Sequence, residues 1–78
     1  MPIHVGISCE RCGKVHFIVT SKRIEFAASD GSYRLACMSP CGAIRYFRKE
    51  QMLVYAVSGD IFTRGYAERN EYEPVQKS

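Results

Sequence analysis

Cys9-Glu10-Arg11-Cys12-Gly13-Lys14 and Cys37-Met38-Ser39-Pro40-Cys41-Gly42-Ala43 hold all four cysteines of this 78-residue chain. Two residues separate the first pair and three the second, and a glycine follows each pair. A Cys-x₂-Cys pair, a 24-residue spacer and a Cys-x₃-Cys pair have the arithmetic of a structural zinc site. Zinc takes four thiolates in a tetrahedron with Zn–S near ~2.3 Å, which puts the sulfurs ~3.8 Å apart. A tight turn presents two sulfurs at that separation, and the residue after the second cysteine needs a positive φ for the chain to leave, hence Gly13 and Gly42. Cysteines at i, i+4 would share one face of a helix, but Pro40 disfavours helix at Ser39 and leaves a widened loop. Pro40 also offers no N–H to a thiolate, so Cys37 and Cys41 are expected to be the less shielded half of the site.

The spacer agrees with this reading. Val15, Phe17 and Val19 alternate with His16, Ile18 and Thr20; Ile24, Phe26 and Ala28 alternate with Glu25 and Ala27. Ser29-Asp30-Gly31-Ser32 is a turn signal, after which Tyr33, Leu35 and Cys37 return as the second arm of a hairpin that brings Cys37 beside Cys12. Upstream, Ile3, Val5 and Ile7 face one way and His4, Gly6 and Ser8 the other, a strand leading into the first pair. Downstream, Ala43-Ile44-Arg45-Tyr46-Phe47-Arg48 reads as a strand, and the apolar run MLVYAV, residues 52–57, as another. After Ser58-Gly59-Asp60, residues 61–66 are expected to pair back as a C-terminal hairpin. The rival is a short helix capped by Asp60 with Phe62 and Tyr66 stacked at i, i+4. Gly65 weighs against that helix. From Glu68 the chain turns polar.

The fold expected is therefore all-β: a small antiparallel sheet with two cysteine knuckles and an added C-terminal hairpin, in one domain over residues 1–67. A mobile polar tail over 68–78 would follow. A chain this short buries too little surface to be stable without help, and a metal is the obvious supplement. No signal peptide is read in the first twenty residues and no run approaches the ~20 apolar residues that span a bilayer, so a reducing, cytoplasmic setting is expected, where thiols meet metals rather than each other.

The pairs CERCGK and CMSPCGA, separated by a hairpin, resemble the zinc ribbon group of folds over residues 3–48. The opening MPIHVGISCERCGK is similar to the start of many small bacterial ribbon proteins. The resemblance implies Cys9, Cys12, Cys37 and Cys41 as ligands to one Zn²⁺ per chain. It leaves function open, because ribbons serve transcription, translation and protein docking alike. Iron is a less favoured occupant of an S₄ site. A thiol redox switch that loses metal on oxidation is a further alternative, and a thioredoxin-type Cys9–Cys12 pair lacks the βαβ unit it would need. His4 and His16 are each near a cysteine pair, but four cysteines already fill the tetrahedron.

Charge argues against a dedicated nucleic-acid binder. Residues 1–49 carry eight Lys/Arg against three Asp/Glu, a balance of +5, while residues 50–78 carry three against five, a balance of −2. With a zinc and four thiolates the formal +3 of the chain falls to about +1. Arg45, Tyr46, Phe47 and Arg48, helped by Arg11, Lys14, Lys22 and Arg23, would still form a stacking and phosphate-holding strand. The plainer reading of that strand packs Ile44 and Tyr46 on one face and leaves charge on the other. The run 52–57 closes the sheet or pairs across a homodimer. No nucleophile elbow, phosphate loop or His-Glu metal motif occurs, and a closed Cys₄ site has no open position, so neither enzyme activity nor a small-molecule substrate is expected. A non-catalytic module for protein recognition or scaffolding is the leading reading, with a nucleic-acid-binding ribbon next.

Overall fold

The computed structural model describes residues 2–26 and 31–75. Eight strands and one short helix follow in the order β1 (Ile3–Ser8), β2 (Val15–Phe17), β3 (Ile24–Phe26), β4 (Tyr33–Ala36), β5 (Ile44–Phe47), β6 (Leu53–Ala56), α1 (Gly59–Arg64), β7 (Tyr66–Ala67) and β8 (Glu73–Pro74). A 3₁₀ turn at Lys49–Gln51 joins β5 to β6. The strands form two antiparallel sheets, one ordered β7-β2-β1-β6-β8 and the other β3-β4-β5. The all-β class read from alternation stands.

The spacer between the cysteine pairs holds three strands, one in each of the alternating runs. β2 turns back along β1 in the larger sheet, with Gly6 opposite Phe17. β3 and β4 are the expected hairpin of the smaller sheet, with Ile24 opposite Leu35 and Phe26 opposite Tyr33. Of its turn, 27–30 lie outside the described residues; Gly31 has a φ of 87°, as that turn requires.

Register decides where the apolar side chains go. On β1, His4, Gly6 and Ser8 share a face with Val15 and Phe17 of β2 and Tyr55 of β6. That face carries one core, of Val15, Phe17, Tyr55, Val57 and Ala67, with Ile61, Phe62 and Tyr72 packed on it. The face of Ile3, Val5 and Ile7 is split. Ile7 is buried with Leu35 and Phe47 in a second core between the two sheets, while Ile3 and Val5 are 57% and 46% exposed beyond the reach of the smaller sheet. Alternation placed these three isoleucine and valine side chains on one face correctly; how far a second layer would cover them was not encoded in β1.

The C-terminal hairpin is the expectation the structure overturns. β6 pairs with β1 and β8, and residues 59–64 are helical, as the rival reading had it. Gly65 lies outside the helix and terminates it: its φ of 95° is left-handed and its N–H donates to the Phe62 carbonyl. The glycine taken as evidence against a helix is the device that stops one. Ser58, not Asp60, occupies the N-cap position; Asp60 is in the first turn and Arg64 in the last, each on the side the helix dipole favours. Phe62 does not stack on Tyr66. It stacks on His4 with ring centroids 3.6 Å apart, and Tyr66 instead lies under the Arg64 guanidinium at 4.3 Å.

The polar stretch from Glu68, expected to be a free tail, is docked as far as Val75. β8 pairs with β6, and the Val75 N–H donates to the Val54 carbonyl at 2.9 Å. Glu71 ion-pairs with Arg64. Composition pointed to a solvated tail because the contacts that hold it are polar. The remaining residues, 76–78, lie outside the described residues.

Gly6 sits where β1 and β2 approach most closely: an added Cβ would lie 2.8 Å from the His16 carbonyl oxygen and 2.9 Å from Val15 Cγ1. Gly6→Ala should therefore destabilise by ~1–3 kcal/mol in denaturant unfolding, since backbone must shift to admit the methyl. Gly59→Ala meets nothing within 4 Å in the first turn of α1 and should be neutral or stabilising by up to ~1 kcal/mol.

Candidate metal centre

Each knuckle is a turn between strands of a different sheet. Cys9 follows β1 and Cys12 lies in the turn to β2; Cys37 follows β4 and Cys41 lies in the turn to β5. The first knuckle is closed by the Cys9 N–H donating to the Lys14 carbonyl at 2.7 Å and the Gly13 N–H to the Cys9 carbonyl at 2.8 Å. The second is closed by Cys37 N–H to the Ala43 carbonyl at 2.8 Å, with Cys41 N–H and Gly42 N–H both donating to the Met38 carbonyl, at 3.1 and 3.3 Å. Gly13 and Gly42 have φ of 84° and 64°, the left-handed exit expected of both. The Ser39-Pro40 peptide is cis.

Four sulfurs from two sheets meet as a result. Cys9 Sγ is 3.6 Å from Cys41 Sγ and Cys12 Sγ is 3.5 Å from Cys37 Sγ, and all four lie within 4.8 Å of one another. A disulfide would hold a pair near ~2.05 Å. Sulfurs sharing a tetrahedral ion sit ~3.8 Å apart, so the unequal clips converge on a group that can hold one metal ion. Neither histidine belongs to it. His4 is stacked against Phe62, and His16 is fully buried in β2.

The electrostatics are those of thiols competing for one negative charge. Burial pushes the Cys37 thiol far up, and its hydrogen bonds with Cys12, Cys9 and Cys41 and the charge of Cys9 push the same way. Burial acts upward on Cys9 too, but is outweighed by the N–H groups of Cys12 and Arg11 and by the thiols of Cys12 and Cys37, which bring it down to about 7. A divalent cation at the centre would reverse this by stabilising all four thiolates together. The backbone donors onto the Cys9 sulfur come from its own knuckle, from Cys12 and Arg11. Shielding, however, divides differently from the expectation: Cys9 and Cys37 are buried, and Cys12 and Cys41 are the half-exposed members, one from each pair. The leading cysteine of each knuckle ends a strand and faces inward, whereas the second rides on the turn.

Three contacts from the C-terminal stretch brace the first knuckle. Tyr72 Oη donates to the Gly13 carbonyl at 2.8 Å, Lys14 Nζ pairs with Glu68 at 3.2 Å, and the Arg69 guanidinium covers Gly13 so closely that a Cβ there would lie 2.9 Å from its Nε. The Lys14 pKa is raised, mainly by its hydrogen bond to Glu68. Arg45 reaches across from β5: its Nη1 donates to the Ser8 carbonyl at 2.7 Å and its Nη2 pairs with Glu10 at 3.4 Å. No motif announced these residues. The only signal was chemical, a cluster of hydrogen-bonding and charged side chains in a stretch too short to be solvated independently of the domain.

The strand proposed to hold nucleic acid does not present one surface. Phe47 is 2% exposed in the core between the sheets, stacked on Tyr33, and Arg45 is turned inward to the first knuckle. Tyr46 is 65% exposed, with Ile44 beside it on the outer face, and Arg48 caps the 3₁₀ turn. The inward and outward faces of β5 are thus the reverse of the plainer reading, because Leu35 pairs with Arg45 and Tyr33 with Phe47 across the ladder. Among the described residues no helix is long and apolar enough to cross a membrane. Comparison of the chain with protein-family models, curated proteins and solved structures finds no match.

His16 gives the centre's surroundings a pH dependence of their own. Burial, then the charges of Lys14 and Arg23, lower its pKa from 6.5 to about 4. The unfolded chain takes up a proton near pH 6.5 and the folded one does not, so this contribution is intact above pH 6.5 and is lost as pH falls toward 4. The loss should reach ~3 kcal/mol, at ~1.4 kcal/mol per pKa unit. Unfolding free energies measured across that window should slope downward, and His16→Gln should flatten the slope while leaving whatever the cysteines contribute.

Proposed function

We propose that the chain is a zinc-ribbon-like module in which one Zn²⁺, held by Cys9, Cys12, Cys37 and Cys41, has a structural and not a catalytic role, and that it works by binding another protein. The observation that carries the reading is the convergence of four sulfurs, within 4.8 Å, at the junction of two sheets. The donor set is all thiol, which suits zinc, and offers no open position for substrate. When bound, zinc would neutralise the thiolates and fix both turns. The junction's own apolar cluster of Ile7, Leu35 and Phe47 is worth on the order of 5–9 kcal/mol gross. Zinc binding in small domains is worth ~10–16 kcal/mol, so the ion and not the core would decide whether the sheets dock.

A protein partner is favoured by the uncovered end of the larger sheet. Ile3 pairs with Ala56 and Val5 with Val54, and Val75 lies against Val54, which makes a continuous apolar strip on one face. A second copy of the chain is the simplest occupant, since a two-fold axis would set the same apolar strip against itself. Nucleic acid is disfavoured by the burial of Phe47 and by the engagement of Arg45 with Ser8 and Glu10.

Purified protein should contain one zinc per chain, and chelation, or Cys37→Ser, should abolish the cooperative unfolding transition. A well-folded metal-free chain, or iron in the site, would overturn the metal assignment. Sedimentation should show a dimer that Val5→Lys converts to a monomer without loss of zinc; a monomeric parent protein would remove the second copy as partner and leave the metal assignment standing.

A further inference from the structure

An unexplained polar feature lies outside the sulfur cluster. A cleft of about 280 Å³ opens between the chain leaving β2 and the end of α1, walled by His16, Lys22, Arg23, Met38 and Tyr66 among others. His16 is 0% exposed, yet neither ring nitrogen has a hydrogen-bond partner. Buried polar groups are rarely left so, because each unpaired one costs ~1–3 kcal/mol. A neutral imidazole always carries one N–H, and burial keeps this ring neutral near pH 7, so just behind the wall sits a desolvated donor with no partner among the described residues.

The remaining groups are donors of one kind. Lys22 and Arg23 are exposed and make no ion pair among the described residues, whereas Arg64, also on the wall, is already paired with Glu71. The Ser21 hydroxyl accepts from the Arg23 N–H at 3.1 Å, which leaves its own proton to donate. Two uncompensated cations and two uncharged donors around a concave space match an anion of charge −2 with several acceptor oxygens. A carboxylate, with one charge and two oxygens, would leave half of them unused. The Tyr66 ring and the Met38 side chain add an apolar wall on which an organic portion can rest.

We propose that this cleft binds a phosphate dianion, free or as the phosphate of a small monoester, with His16, Ser21, Lys22 and Arg23 as the donors. The site uses none of the four cysteines and needs no second copy of the chain. Its role is binding, with His16 and Ser21 acting as hydrogen-bond donors. Because Met38 lies in the second knuckle, a ligand seated here also rests on the loop that carries Cys37 and Cys41.

The test is an NMR titration of ¹⁵N-labelled protein, as purified with its metal, against inorganic phosphate, phenyl phosphate and acetate at constant ionic strength. The His16 ring nitrogens should shift saturably with both phosphates, while those of His4, stacked on Phe62 away from the cleft, stay put. Tighter binding of phenyl phosphate identifies a monoester site, and equal binding a site for free phosphate. Arg23→Gln or Lys22→Gln, each at an exposed position, should weaken binding about tenfold through loss of one charge-assisted contact, and Lys49→Gln should not. The proposal falls if the His16 nitrogens do not respond, if acetate reproduces the response, or if Lys49→Gln weakens it as much as Arg23→Gln.

Discussion

Four thiols drawn from two sheets must share a space less than 5 Å across, and the rest of the molecule is arranged around that demand. Like charges at 3.5–3.6 Å repel strongly, and burial with the neighbouring thiols pushes the Cys37 pKa far up. The sheets that deliver the sulfurs are small: one has three short strands, and the other ends in pairings as brief as β7 and β8. What makes them a domain is that the same junction also gathers Ile7, Leu35 and Phe47, and that Arg45 crosses it to the Ser8 carbonyl.

The division of labour between the two faces of the larger sheet follows from a single small residue. Gly6 lets β2 approach β1 closely enough for Phe17 to lie over it, and that packing builds the core on which α1 rests. On the opposite face Ile7 meets the smaller sheet and Ile3 and Val5 do not. A metal-bearing end, a well-filled helix side and an uncovered apolar end are thereby assigned to different regions of one short chain.

Much of this was legible in the residues, for identifiable reasons. Cysteine spacing and the glycines after each pair encode local geometry, and both glycines adopt the φ they were chosen for. Period-two alternation located β1, β2 and the β3–β4 hairpin because one side of each strand is buried. What was not legible depends on contacts distant in sequence. Whether Ile61 and Phe62 belong to a strand or a helix is decided by the core they pack on, and Gly65, read as a helix breaker, proved to be a helix end. Phe47 and Tyr46 exchanged their expected sides because a strand's alternation does not say which face a second sheet will cover. The C-terminal polar stretch was misread because Tyr72, Glu68 and Arg69 act on Gly13 and Lys14, some sixty residues away in the chain.

The pairing of β1 with β6 carries a consequence for how such a chain is made. Ile3 lies opposite Ala56, so β1 sits at the centre of a sheet whose β6 and β8 are synthesised some fifty or more residues after it. Until then β1 has only the three-residue β2 beside it, and the Gly13 turn lacks the Tyr72 hydroxyl that holds it. Long-range closure of this kind is slow and leaves strand edges bare. Until β6 has emerged, the edge of β1 that it will occupy therefore stays open, and the sheet closes only once residues far apart in the chain have met.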